Sequence, residues 1–307
     1  MADIVIIGGI NIDIEGYPYK DLVEQDSNPG RIKISYGGVG RNIAENAARI
    51  GEKVAMLSVI GADELGRGAR SHLAGLGVDV SMVREIPGRG SAIYLSILNP
   101  NRDMHLGLCD MEIIQELTAA DIRKAGTVFE SAAAVALDGN LEEEMLRDAT
   151  EILSDKMLFY DPVSANKAHR AKACIGRFHS IKPNMIEAEV LSGMKIETDE
   201  ELRNAARYFL DKGVKNVYIT LNCDGVYFKN KEKEGFIRPP KSIKIESATG
   251  AGDAFSAAVL YGMAHGLEID EIAALGMAAS QIAMESEKAV NEKINIEDIK
   301  RRVTQNV

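Results

Sequence analysis

The sequence lacks most of the features that would assign a function at once. Its three cysteines, Cys109, Cys174 and Cys223, lie far apart and form no CxxC pair. That spacing excludes a disulfide framework and a cysteine-ligated zinc site, and it suits free thiols in a reducing compartment. No apolar run approaches the roughly 20 residues that a membrane-spanning helix needs. The N-terminal stretch MADIVIIGGINIDIEG has no basic region ahead of its apolar run, so it reads as a first core strand and not as a signal peptide. A cytoplasmic protein that does not engage membranes is expected. Lys and Arg number 36 against 46 Asp and Glu, for a net charge of −10, and no basic stripe is present. Nucleic acid is thereby excluded as the main partner.

Common catalytic signatures are missing as well. There is no G-x-x-x-x-G-K-[ST] phosphate loop, no H-E-x-x-H and no G-x-S-x-G elbow. Gly8-Gly9 follows the first apolar run without completing G-x-G-x-x-G, which leaves a dinucleotide fold poorly supported. His72, His105, His169, His179 and His265 show no metal-ligand spacing. Neither an internal repeat nor a low-complexity linker divides the 307 residues. One domain spanning residues 1–307, with lid segments inserted at about 12–36 and 90–110, fits this length.

What is present is an alternation of short apolar runs and amphipathic stretches, the pattern of a parallel sheet covered by helices. Buried strands are expected at residues 4–7, 54–60, 133–137, 157–160 and 217–221. Helices are expected at 41–50, 142–153, 200–212, 254–265 and 272–284. In the first of these, Ile43, Ala47 and Ile50 share one face, while Asn42, Glu45, Asn46 and Arg49 share another. The fold class is therefore α/β with a central, mostly parallel sheet. Two segments break the rhythm. One carries the turn signal Ser-Asn-Pro-Gly at 27–30 followed by RIKISY, which alternates at period two. The other has strand-like residues 91–98 and 103–108 around Asn-Pro-Asn-Arg at 99–102. Together they predict a small sheet set apart from the main one, suited to be a lid and to offer an apolar face for a homodimer.

Three stretches could carry chemistry. In SATGAGDAF, residues 247–255, Gly250 and Gly252 permit close backbone approach just before an apolar run. A helix starting there would point free amides and partial positive charge at an anion such as phosphate. Asp253 could then accept a proton from an attacking hydroxyl. The alternative is a glycine turn with Asp253 as an N-cap. A helix N-terminus favours the charged carboxylate, which predicts a weak base. In GGVGRN, residues 37–42, Gly37 and Gly38 again bare the backbone, and Asn42 can donate to and accept from hydroxyls. Upstream, Asn11 and Asp13 project to the same side of an extended strand, an amide and a carboxylate suited to neighbouring sugar hydroxyls. In KPNMIE, residues 182–187, Asn184 and Glu187 have the spacing of a capping box, a complete structural explanation. The functional alternative is a glutamate that holds magnesium through water beside a nucleotide.

Taken in order, GGVGRN, KPNMIE and TGAGD resemble the signature regions of the ribokinase/PfkB family of sugar and nucleoside kinases, and the resemblance spans essentially the whole chain. It implies a ribokinase-like three-layer α/β/α fold with a small β-sheet lid, ATP as phosphoryl donor and Mg2+ as cofactor. By the same resemblance Asp253 is the base, and in the catalytic loop that begins at Gly250 the amides of Ala251, Gly252 and Asp253 form the anion hole. Asn11, Asp13, Gly37, Gly38 and Asn42 hold the sugar, with Asp138 and Asn140 as further substrate-side groups. Asn184, Thr220, Gly225 and Thr249 lie by the nucleotide, and Glu187 serves the metal through water. The stretches DSNPGRI (26–32), GGVGRNIAEN (37–46) and DPVS (161–164) resemble the branch that phosphorylates the 5′-hydroxyl of pseudouridine. That branch implies this reaction here, with Asp110 and Asn28 as lid groups near the base. The rivals are another sugar or nucleoside substrate (ribose, another nucleoside or a hexose) and a nucleoside-binding regulator without catalysis. Two positions depart from the family pattern. Ser247 stands where many members have an aspartate in a monovalent-cation loop, and the weaker hydroxyl ligand counts against that ion. Asn222 replaces a glycine common after Thr220.

Overall fold

The computed structural model of the chain describes residues 2–239 and 245–305. The apolar runs IVII, VAMLSVIG and AVALD are strands buried along their whole lengths. Strands without a polar face belong in a sheet covered on both sides, and that is the sheet they build. In chain order the strands are β1 (Ile4–Ile7), β2 (Asn11–Pro18), β3 (Gly30–Gly37), β4 (Val54–Gly61), β5 (Val83–Ile86), β6 (Ala92–Leu98), β7 (Met104–Asp110), β8 (Ala134–Asp138), β9 (Leu158–Asp161), β10 (Ser180–Ile181), β11 (Asn216–Thr220), β12 (Val226–Lys229) and β13 (Glu234–Ile237).

Nine of these form the main sheet, in the order β13-β12-β11-β10-β9-β8-β1-β4-β5. Pairing is parallel from β5 through β11, and only β12 runs against its neighbours. Alternate residues of the central strands feed two cores. Val5, Ile7, Leu57, Val135 and Leu137 pack with Leu146, Ala188, Leu202 and Phe209 on one side. Ile4, Ile6, Met56 and Ala136 pack with Ile43, Ala47, Leu73, Leu260 and Ile272 on the other. Two helix layers around one sheet follow from this alternation.

Helix boundaries move where caps decide them. The last long helix, Ile269–Met284, begins three residues before the expected 272, because Glu268 and Glu271 form a capping box. The helix expected at 254–265 runs from Ala251 to Ala264 and starts directly after Gly250. Both are buried around most of their circumference, so their sequences carry little amphipathic signal.

The four remaining strands make a separate sheet in the order β3-β2-β6-β7. Strand β2 continues from β1 after Gly8-Gly9-Ile10, and β3 leads into the helix Val39–Arg49. This small sheet therefore hangs from the same corner of the main sheet as the GGVGRN loop. Among the described residues no helix is long and apolar enough to cross a membrane.

Candidate active site

Strand order in the main sheet reverses between β1 and β8: the chain adds β4 and β5 on one side and β9 to β13 on the other. Ligands of open α/β sheets bind outside the carboxyl ends of strands at such a point. Asp138, the last residue of β8, is buried there and ties the corner together. Its Oδ2 accepts from the amides of Gly9 at 2.9 Å and Gly40 at 2.8 Å, and its Oδ1 accepts from the amide of Asn140 at 2.9 Å. The side chain of Asn140 donates to Asp138 and accepts from Lys167 Nζ at 2.6 Å.

The sugar-side residues expected from the sequence meet at this corner. Asn11 Nδ2 donates to Asp13 Oδ1 at 2.7 Å. A Cβ added at Gly37 would lie 2.3 Å from Asp13 Oδ2, so the missing side chain is what admits the carboxylate. Gly38 has φ +98°, and a Cβ there would come within 2.4 Å of the Gly9 carbonyl. Only glycine joins the small sheet to the following helix by this path. Arg41 is buried against the loop it leaves, donating to the carbonyls of Tyr36 and Gly37 and pairing with Glu45. It also donates to Asn42 Oδ1, which turns the amide nitrogen of Asn42 toward Asp253. Asn42 Nδ2 donates to Asp253 Oδ2 at 2.6 Å, a bond spanning 211 residues of sequence.

Asp253 lies in the first turn of the helix Ala251–Ala264. Gly250 caps that helix in the left-handed conformation, φ +80°, with no side-chain cap, and a Cβ there would overlap the Ala289 carbonyl. Gly252 is exposed while Asp253 is buried. The Ala251 amide donates to the Ala248 carbonyl at 3.3 Å, so of the anion-hole amides expected from the sequence only those of Gly252 and Asp253 are left for a ligand, while the carboxyl is buried. Desolvation by burial, then the charge of Asp161, push the Asp253 carboxyl from 3.8 up to about 7, against the hydrogen bond from Asn42 and the charges of Lys182 and Arg41. Burial thus acts against the weak base expected from the helix terminus alone and raises the proton affinity of this carboxyl.

Lys182 and Asp161 were not singled out from the sequence. Their ammonium and carboxylate pair at 3.1 Å, both buried, and Ser256 Oγ donates to the same Asp161 oxygen at 2.7 Å. Lys182 Nζ lies 3.2 Å from where a Gly252 Cβ would be, so a cation stands beside the exposed turn. A turn without a side-chain cap, an exposed glycine amide and an adjacent ammonium fit a phosphoryl group. The signal for Lys182 lay in KPNMIE, next to the asparagine that was read.

On the far side, Asn184 and Glu187 form the capping box in full, with Asn184 N–H donating to Glu187 Oε2 at 2.8 Å and Glu187 N–H to Asn184 Oδ1 at 2.9 Å. Desolvation raises the pKa of Glu187, while Lys182 opposes the shift. One carboxylate beside the exposed, uncapped helix turn fits magnesium, which is commonly held by one or two carboxylates together with substrate phosphates. Asn184 bridges to Thr220 at the end of β11. Asn222 takes φ +53°, the left-handed conformation that the usual glycine would supply. Gly225 has φ +101°, and a Cβ there would meet the Ile237 carbonyl at 2.0 Å, so hairpin geometry accounts for it. Thr249 is exposed at the mouth, its amide donating to Ser247 Oγ at 3.1 Å.

Two lid residues are not brought to the site. The Asn28 side chain is spent within its own loop, bonded to Val23 and Asp26. Asp110 pairs with Ile93, which places it on the opposite face of the small sheet from Asp13 and Tyr94.

Comparison with known proteins agrees with this geometry. The model of pfkB family carbohydrate kinases matches residues 1–295. The pseudouridine kinase of Escherichia coli (strain K12) is 33% identical over 296 residues, covering 96% of this chain and 95% of that protein. A carbohydrate kinase from Agrobacterium tumefaciens superposes with a TM-score of 0.86 at 25% identity, over 99% of this chain and 97% of that one. The ribokinase of Thermotoga maritima shares the fold, with a TM-score of 0.84 at 22% identity over 99% and 100% of the two chains.

Proposed function

The chain belongs to the pfkB family of carbohydrate kinases, and from that premise we propose that it transfers the γ-phosphoryl group of ATP to the 5′-hydroxyl of pseudouridine. Asn11, Asp13 and Asn42 would hold the ribose, with its 5′-hydroxyl at Asp253. The hydroxyl oxygen forms a bond to the γ-phosphorus as the bond to the β,γ-bridging oxygen breaks. The hydroxyl proton passes to Asp253, and ADP leaves with the bridging oxygen. Phosphoryl transfer proceeds through a loose transition state, so positioning and charge stabilisation carry most of the catalysis. The amides of Gly252 and Asp253 and the Lys182 ammonium supply that charge. Mg2+ would neutralise phosphate charge when bound, near Glu187 and Asn184. The observation that carries the reading is the Asn42–Asp253 bond, which couples the sugar-side loop to the base at the phosphate-binding turn.

Pseudouridine is favoured by the likeness to the E. coli enzyme along almost the full length of both chains. ATP consumption with pseudouridine, uridine, ribose and fructose, read by mass spectrometry of the products, tests the choice. Pseudouridine is expected to give the highest kcat/KM. Uridine should be much poorer, because a site built on hydrogen bonds rejects a ring that leaves its groups unpaired. Turnover of ribose with none of pseudouridine overturns the substrate while sparing the mechanism.

The small sheet serves in this reading as the lid over the sugar. Its outer face exposes Ile32, Ile34, Leu106 and Leu108, each 53% or more accessible. A second copy of the chain would cover this patch, giving a lid-to-lid homodimer. Light scattering checks it: the wild type should have twice the monomer mass, and Ile34→Glu should be monomeric. A monomeric wild type refutes the dimer.

A further inference from the structure

The cleft-facing side of the small sheet holds an aromatic residue that neither the core nor the phosphoryl-transfer machinery uses. Asp13 on β2 lies opposite Ser35 on β3 and Tyr94 on β6, and Tyr94 lies opposite Cys109 on β7. Directly opposed residues project to the same face. Ser35, Asp13, Tyr94 and Cys109 are thus one row across the sheet, on the face that Asp13 turns toward Gly37 and the GGVGRN loop. Tyr94 is one strand spacing from Asp13, about 4.8 Å, comparable with the offset of a base from the ribose that carries it. Tyr17 shares this face but is four residues farther along β2, about 13 Å away.

The ring is also laid down. Its Oη donates to Met104 Sδ at 3.3 Å. A Cβ added at Gly107 would lie 3.2 Å from that Oη and 3.8 Å from Cε2, so the ring leans along the sheet across a position with no side chain. Tyr94 is half-buried and packs in none of the three hydrophobic clusters of the described residues. A tyrosine flat on a sheet beside a sugar-binding carboxylate offers a π face to a planar ring.

We propose that Tyr94 is the stacking platform for the base of a nucleoside, so that this site selects nucleosides over free sugars. The proposal rests on the kinase reading above and deepens it. Free ribose has no planar ring to place there, whereas any nucleoside does. Tyr94 therefore sets the substrate class, and polar neighbours discriminate among bases.

Steady-state kinetics of Tyr94→Phe, Tyr94→Leu and Tyr94→Ala with pseudouridine and with ribose test it. Removing a base-stacking aromatic should raise the KM for pseudouridine roughly 10- to 100-fold in Tyr94→Ala, with a much smaller change in kcat. Tyr94→Phe should stay within about twofold of wild type in KM, and Tyr94→Leu should fall between. The preference for pseudouridine over ribose in kcat/KM should drop with the KM effect. Should Tyr94→Ala not fold, the Phe and Leu variants still set an aromatic ring against a smaller aliphatic side chain at the same position. If wild type phosphorylates nucleosides and the Leu variant matches the Phe variant, the platform is overturned and the kinase reading stands. If wild type phosphorylates ribose or a hexose but no nucleoside, both the platform and the pseudouridine assignment fall.

Discussion

Replacing Asp253 by asparagine separates the chemical role of this carboxyl from its energetic cost. Burial and Asp161 raise its pKa from 3.8 to about 7 in the folded chain, while the unfolded chain titrates near the lower value. Between the two, the folded protein keeps a proton that the unfolded chain has released. Stability therefore falls as pH rises across that interval, and the loss is complete above about pH 7. At 1.36 kcal/mol for each unit, the displacement amounts to about 4 kcal/mol at most. Asparagine is nearly isosteric, and its carbonyl can still accept from Asn42 Nδ2, now 2.6 Å away. Asp253→Asn should therefore be more stable than wild type by about 2–4 kcal/mol at pH 8, with the difference shrinking to near zero by about pH 4. Urea unfolding at several pH values, with midpoints compared at equal m-value, reads this directly. In the same variant kcat should fall by at least ~10²–10⁴-fold, the worth of a positioned acid–base group. A stability gain independent of pH, or near-normal turnover, would refute the reasoning.

The same titration should appear in catalysis: kcat/KM for the acceptor should rise with an apparent pKa near 7, and a flat profile down to pH 5 would exclude Asp253 as the base. Lys182→Met leaves Asp161 buried without its ammonium, so thermal or urea unfolding should show a loss of about 3–5 kcal/mol. Adding Asp161→Asn should restore part of that stability but not the turnover. Glu187→Gln retains a side chain competent for the capping box, so stability should change by less than about 1 kcal/mol. The magnesium concentration for half-maximal turnover should nonetheless rise, and wild-type magnesium dependence in this variant would assign Glu187 to capping alone. Turnover in potassium and sodium salts should agree within about twofold, given the single hydroxyl that Ser247 offers a cation.

Much of the fold was legible because its strands are short apolar runs and its glycine motifs are local. The runs at 4–7, 54–60 and 217–221 fall within a residue of β1, β4 and β11. RIKISY and SAIYLSIL alternate at period two and sit in the separate sheet. Strand β10 has only two residues and borrows its hydrogen bonds from β9 and β11, yet it falls at the end of the strand-like run 178–181 ahead of KPNMIE. Other features left no such mark. The Asp161–Lys182 pair exists because β9 and β10 lie side by side with their carboxyl ends level, a fact of pairing and not of spacing. Asn28 misled for a related reason. A polar residue in a Ser-Asn-Pro-Gly turn reads equally well as a ligand contact, yet its amide reaches back to Val23 and closes the loop 23–28. Tyr94 was within reach, since alternation along SAIYLSIL together with pairing to β2 puts it on the face of Asp13.

Whether Asp253 can act as a base comes down to a comparison of magnitudes. A helix dipole stabilises a carboxylate in its first turn by about 0.3–1 kcal/mol, reaching about 2 in favourable geometry. That is a downward shift of at most about 1.5 pKa units. Asn42, Lys182 and Arg41 act on the same side, and burial with Asp161 outweighs those three to bring the carboxyl to about 7. That rise is larger than the most the dipole could take back. Burial and Asp161 prevail because the first turn is split: Gly252 keeps its amide at the opening, while the Asp253 side chain turns inward beside a second carboxylate. In the proposed reaction one turn of helix thus offers positive charge to a phosphate and a base of raised pKa to a hydroxyl. Moving the carboxyl out to the dipole would stabilise its charge and weaken the base, and filling Gly252 with a side chain would crowd Lys182. The arrangement works because the two groups, one residue apart, face different media.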